Sequence, residues 1–298
     1  MKKILITGAS GLIGTQLVSS MSSPDCQITA MYRHHKSSTS ENVRWIKSDL
    51  DNLNIEELHE EMKDLDILVH NAASKLPGST KEEKSYIRNV NVNASLSLFE
   101  CAAKRGVKKV IFTSGLNILQ KPLPQEITEA SQTDPQTVYG GSKWETEESL
   151  KSCAEQYGFR YNVLRISSPV SFDLDLMPET IVKKWINMSR AGQKLEVYGK
   201  GSRTQDFVAV KDISSAFVAC VQNLDIDGVF NIASGSELSM LRLAQIITEK
   251  FGNEYGFSGT DTQESDRWNI SIERASRLLN YRPQYTAEAA IRKLLESV

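Results

Sequence analysis

Cysteine is scarce in this chain. The four present in 298 residues, Cys26, Cys101, Cys153 and Cys220, are scattered and never stand at metal-ligand spacing. That excludes zinc-ribbon and finger architectures, and the thiols read as structural groups in a reducing compartment. No metal site is expected. Long apolar runs are also lacking: no segment approaches the ~18 apolar residues of a membrane span. The opening MKKILITG carries an apolar run too short for a signal sequence and meets a glycine turn at once. The reading is a cytoplasmic protein. No charge dominates, with 35 Lys+Arg against 37 Asp+Glu. Nothing therefore steers the chain towards nucleic acid or a membrane surface. Repeats and low-complexity segments are absent as well. What remains is an ordinary globular composition, 40% hydrophobic and 24% charged, long enough for one large domain or two smaller ones.

What is present is an alternation. KKILIT (2–7), CQITAMY (26–32), LDILVHNA (65–72) and KKVIFTS (108–114) read as strands. GLIGTQLVSSM (11–21), IEELHEEM (55–62) and VNASLSLFECAAKRG (92–106) carry helical spacing between them. Strand–helix alternation at this pitch predicts an α/β fold, a Rossmann-like doubly wound parallel sheet with helices on both faces. Such sheets bind ligands beyond the carboxyl ends of their strands. After residue 170 the rhythm changes. A helix is expected at 181–192, short strands at 195–199 and 205–210, a helix capped by Asp212, a strand at 228–234, and a helix closed by Gly252. The predicted division is a dinucleotide-binding domain over 1–168 with 212–235 returning to it. A smaller C-terminal α/β substrate lobe takes 169–211 and 236–298. SSTSEN (37–42) and FGNEYGFSGTDTQES (251–265) read as mobile loops.

The first strand runs directly into GASGLIG (8–14) and then into a helix. Gly8 allows a tight turn, Gly11 lets backbone approach a pyrophosphate, and Gly14 lets helix and strand pack closely. The helix N-terminus then presents free N–H groups to phosphate. The second strand ends AMYRHHK, where a carboxylate would select a ribose 2′-hydroxyl. Tyr32 takes that place and Arg33 follows, so NADP(H) is favoured over NAD(H). Asp49 is placed to meet an adenine edge.

TVYGGSKWETEESL (137–150) reads as the start of a helix, with Tyr139 and Lys143 on one face. A nearby ammonium lowers a phenol's pKa, which makes tyrosine a usable acid/base. With GASGLIG, SDL, HNAA, NVNAS, VIFTS, YGGSK, LRISSPV, EVYGKGSRTQDFVAVKDI, GVFNIASG and LLNYRPQ, nearly the whole chain resembles the extended short-chain dehydrogenase/reductase superfamily, the NAD(P)-dependent epimerase/dehydratase group. The resemblance assigns proton transfer and ribose binding to Tyr139 and Lys143. It implies that Asn93 supports the lysine or its helix and that Pro169 lies near the nicotinamide. It extends the cofactor cradle over Ser10, Leu12, Ile13, Leu50, Asn71, Ala72 and Ala73. It also implies a homodimer built on the helices at 92–105 and 139–156.

Two departures stand out. The family ends the VIFTS strand on two hydroxyl residues, the second catalytic. An ungapped alignment puts Gly115 in that second place, and a one-residue shift puts Ser114 there. Ser114 is the catalytic choice, with Asn117 a further contact for the same oxygen. The family's diphosphate-binding arginine falls on Gln205, with Arg203 two residues earlier. A glutamine cannot replace a guanidinium fork. Lys75, Arg165, Trp185 and Tyr198 are other residues that could face a small-molecule substrate. Three functions follow: an epimerase or dehydratase of a sugar or nucleotide sugar that recycles its cofactor, a reductase of a non-nucleotide ketone with dissociable NADP(H), and a non-catalytic NAD(P) sensor.

Overall fold

The computed structural model describes residues 1–36 and 42–298. Most of SSTSEN thus lies outside the described residues. Six strands, β1 (Lys2–Thr7), β2 (Cys26–Tyr32), β3 (Val43–Lys47), β4 (Ile67–His70), β5 (Lys109–Gly115) and β6 (Arg160–Ile166), join the strand Gly228–Ile232 in one sheet. All pairings are parallel, in the spatial order Gly228–Ile232, β6, β5, β4, β1, β2, β3. The chain leaves β1 for β2 and β3 on one side, then returns to β4 on the other. The strand order therefore reverses between β1 and β4, and a crevice opens at their carboxyl ends. β1 is central and covered on both faces, which is why it reads as an unbroken apolar run: Ile4, Leu5 and Ile6 are buried.

The helices α1 (Leu12–Met21), α2 (Ile55–Glu61), α3 (Lys81–Arg88), α4 (Ala94–Lys104), α5 (Val138–Tyr157), α6 (Ile181–Arg190), α7 (Val210–Gln222), α8 (Met240–Phe251), α9 (Glu273–Leu278) and α10 (Ala287–Glu296) divide among three cores. Leu17 and Val18 of α1 and Phe217 of α7 pack on one face of the sheet. Leu58 of α2, Phe99 of α4 and Leu150 of α5 pack on the other. Trp185 of α6, Leu243 of α8 and Ile291 of α10 form a separate core. Thr137 caps α5 by accepting the Gly140 N–H, and Gly158 closes it in the left-handed conformation, φ 75°. Among the described residues no helix is long and apolar enough to cross a membrane.

Three local readings differ from the sequence expectation. Within 251–265, Tyr255–Ser258 is a strand paired in parallel with Leu195–Tyr198, because its alternate residues find a partner distant in sequence. Asp212 does not cap α7, whose N-cap is Ala209. The Asp212 carboxylate instead accepts the N–H groups of Gln284 and Tyr285 and ties the C-terminal segment to α7. The helix expected from residue 92 begins at Ala94, after a π-helical turn over Asn89–Asn93 that continues α3.

Candidate active site

A cleft of about 970 Å³ lies at the carboxyl ends of β1, β4 and β5. Its floor is the GASGLIG turn. Gly8 has φ 63°, and a Cβ on it would lie 2.8 Å from both N and Cα of Ala72. Gly14 is tighter: a Cβ there would sit 2.0 Å from the Gly8 carbonyl oxygen. Gly14 does not line the cleft; it locks α1 against the turn. No side chain caps α1, and no acidic residue stands in its first turn. Its leading amides are therefore free for an anion, and the cradle fits a pyrophosphate. Ser10, Gly11, Leu12 and Ile13 line the same wall.

At one end stand Tyr32, Arg33, His34, His35, Asp49 and Leu50. Arg33 is exposed, with Nη1 donating to Tyr86 Oη at 3.4 Å. Asp49 Oδ1 accepts the Asp51 N–H at 3.1 Å and so opens the short turn Leu50–Asn52. Asn71, Ala72 and Ala73 follow β4 along the cleft wall. The N–H groups of Asn71 and Ala72 both donate to Thr7 Oγ1 at 3.1 Å. Thr7 in turn meets Nδ1 of His70 at 2.8 Å, and Nε2 of His70 meets Ser95 Oγ at 2.7 Å. Ser95 gives its own proton to the Asn91 carbonyl. This network holds a neutral imidazole with the proton on Nε2. Burial first, then the charge of Lys143, pushes the His70 pKa down to about 3.

At the other end Tyr139 and Lys143 project from the first turns of α5 into the cleft, beside Thr113 and Ser114 of β5. Lys143 is buried, and its Nζ donates to the Thr113 carbonyl at 2.8 Å. Its ammonium lies 4.6 Å from the centre of the Phe112 ring and 5.9 Å from that of Tyr139. Burial and the charge of Lys75 lower its pKa to about 7, against the opposing pull of Glu147. The expected lowering of the Tyr139 pKa is not seen: burial pushes the phenol up to about 12.

Other expected residues are placed as follows. Ser114 lines the cleft, but its Oγ is buried and has no hydrogen-bond partner. Asn117, Lys75 and Pro169 line the cleft too. The protein around the Lys75 ammonium lowers its pKa, although the residue is solvent-accessible. Asn93 is exposed and has no side-chain hydrogen bond to α5 among the described residues, so it does not support the lysine helix. Asn91 does so, its Nδ2 donating to Ser142 Oγ at 2.9 Å and to the Ser74 carbonyl at 3.0 Å. The π-helical turn decides which asparagine faces inward. Neither Arg203 nor Gln205 lines the cleft. Arg203 is ion-paired with Asp261 at 3.1 Å, and Gln205 donates to Ser168 Oγ at 2.7 Å. Trp185 is core, Tyr198 is 58% exposed outside the cleft, and Arg165 is buried against Glu147.

Glu147 and Asp206 were missed by the sequence reading. Glu147 stands one turn beyond Lys143, and that spacing was the available signal. Asp206 is buried and accepts from Ser167 Oγ, from N and Oγ of Ser234, and from Ser236 N, pinning the ends of β6 and of the strand Gly228–Ile232.

Comparison with known sequences decides the family. The profile of the NAD dependent epimerase/dehydratase family matches residues 4–233. The chain belongs to this family. It is an enzyme of the extended short-chain dehydrogenase/reductase type. It is 24% identical to a putative UDP-glucose 4-epimerase of Methanocaldococcus jannaschii, covering 98% of this chain and 97% of that one. It is also 24% identical to a dTDP-4-dehydro-6-deoxyglucose reductase of Escherichia coli, over 99% and 97%. The crystal structure of a UDP-glucose 4-epimerase from Thermotoga maritima with UDP-glucose superposes with TM-score 0.86 at 22% identity, over 99% of this chain and 98% of that one.

Proposed function

We propose that this enzyme oxidises and reduces one secondary alcohol of a sugar substrate, a nucleotide sugar first among them, as an epimerase or reductase and not as a dehydratase. The observation that carries the reading is the make-up of the cleft. Tyr139 and Lys143 are the titratable groups placed beside β5, Lys143 donating to the Thr113 carbonyl, and among the described lining residues the single carboxylate is Asp49, at the opposite end. Loss of water from a sugar needs a base at one carbon and an acid at a leaving hydroxyl. Exchange at a single carbinol carbon needs only one acid/base. Tyr139, half-buried and protonated at neutral pH, holds the proton that a ketone oxygen takes up. Lys143 and the Thr113 carbonyl fix the helix turn that carries it. A nicotinamide dinucleotide, when bound, supplies or accepts the hydride; the Gly8–Gly14 turn and the amides of α1 would hold its pyrophosphate.

The finer reading of the cofactor is NADP(H), supported by Arg33, His34 and His35 at the end of β2, where no carboxylate stands. A homodimer in the cytoplasm, built on α4 and α5, completes the reading. The test is to denature freshly purified protein and to identify and count the released nucleotide. Near-stoichiometric nucleotide supports an epimerase that recycles its cofactor. An empty protein that binds NADPH more tightly than NADH supports a reductase with a dissociable cofactor. That second reading has its own observation, the neutral Gln205 where the family carries a diphosphate arginine. Formation of a 4-keto-6-deoxy sugar from dTDP-glucose would refute the exclusion of dehydration.

A further inference from the structure

β5 ends on Gly115, and the space beside its Cα is already filled. A Cβ there would lie 2.9 Å from Asn117 Oδ1 and 3.8 Å from Asn117 Cγ. Asn117 sits in the short 3-10 turn Leu116–Ile118, exposed and lining the cleft. Its side-chain amide has no hydrogen-bond partner among the described residues. The backbone of Asn117 is pressed onto the helix that carries Tyr139. A Cβ on Gly140 would meet the Asn117 carbonyl oxygen at 2.5 Å, so a glycine after Tyr139 is what lets the turn close on α5. The Gly140 contact thus fixes the backbone of Asn117 against the helix that carries Tyr139, and the side-chain oxygen lies over Gly115. The nearby Ser114 hydroxyl is buried and has no hydrogen-bond partner.

We propose that Asn117, whose Oδ1 fills the space that a hydroxyl side chain at position 115 would otherwise occupy, donates through the Nδ2 of the same amide the hydrogen bond to the substrate's reacting oxygen. This rests on the reading of the cleft as a carbinol redox site. In the direction of reduction, the carbonyl oxygen would take its proton from the protonated Tyr139 hydroxyl and the carbonyl carbon a hydride that a bound dihydronicotinamide would supply, leaving the alcohol and a tyrosinate that solvent reprotonates. The Asn117 amide stabilises the charge that builds on that oxygen and takes no proton itself. An amide does not titrate, so its contribution is independent of pH, unlike that of Tyr139.

The test begins with wild-type protein plus NAD⁺ or NADP⁺ and UDP-glucose, UDP-N-acetylglucosamine or dTDP-glucose. Turnover of none of these refutes the nucleotide-sugar reading and takes this inference with it. With turnover in hand, Asn117→Ala is expected to lower kcat about 100-fold, the scale of a lost oxyanion donor. KM and the shape of the pH profile should hold. Gly115→Ser alone should also lower kcat, since its Cβ displaces the amide. The double variant Asn117→Ala with Gly115→Ser should recover at least about tenfold over Asn117→Ala, because a hydroxyl then stands in the freed space. A kcat within about threefold of wild type in Asn117→Ala, or a double variant no faster than Asn117→Ala, overturns the assignment.

Discussion

Glu147→Gln is the most informative single perturbation of stability. Glu147 is fully buried and Arg165 is 3% exposed. The guanidinium meets the carboxylate through Nε at 3.2 Å to both oxygens and through Nη2 at 2.8 Å. Nη1 donates to the Glu129 carbonyl at 3.1 Å. The substitution leaves that buried cation without its counter-charge, which costs about 3–5 kcal/mol. A chain of 298 residues unfolds with an entropy near 0.6 kcal/mol/K, so the melting temperature should fall by about 5–8 °C. Urea unfolding and differential scanning calorimetry read this directly. Replacing both partners by apolar residues of similar volume, Glu147→Leu with Arg165→Met, should recover most of the loss, because no charge then remains to be solvated. The substitution also reaches the active site. Glu147 raises the Lys143 pKa, so Lys143 should titrate at lower pH in Glu147→Gln. A loss below about 1 kcal/mol, or a double variant worse than the single one, would refute the account.

Three further outcomes follow from the geometry. Tyr139→Phe should bind NADPH and NADH as wild type does and lose turnover by about 10²–10⁴-fold; single-turnover kinetics at saturating cofactor separate the two effects. Lys143 carries a pKa depressed to about 7 in the folded protein from an ordinary value of 10.5. The unfolded chain therefore binds more protons between those values, and the cofactor-free protein should gain stability as pH rises through that window. Lys143→Met should remove this slope, measured as melting temperature from pH 6 to pH 10 in about one-unit steps. Gly14→Ala should force α1 away from the Gly8 carbonyl, where its Cβ would fall 2.0 Å from the oxygen. The expected costs are about 1–3 kcal/mol from overpacking and a marked loss of dinucleotide affinity, read by cofactor fluorescence titration.

The sheet was legible because its causes are local. KKILIT running into GASGLIG needs no partner to declare a buried strand, a tight turn and a helix start. Tyr139 and Lys143 were legible for the same reason, four residues apart on one helix. The neighbourhood of each was not. Lys143 donates to the Thr113 carbonyl, 30 residues away, burial raises the phenol's pKa against the simple expectation, and no spacing rule contains either fact. The choice between Asn91 and Asn93 turned on one π-helical turn, which rotates a side chain by more than a periodic reading of 3.6 residues allows.

The sequence by itself determined the kind of fold, the glycine turn after β1 and the shared helix face of Tyr139 and Lys143, since each is written in residues that are neighbours along the chain or along one helix. Tertiary structure alone decided the rest. It paired Tyr255–Ser258 with Leu195–Tyr198, committed Arg203 to Asp261 and set the Asn117 amide against Gly115. In each case the deciding quantity is a distance between groups that the chain brings together only after its cores have packed.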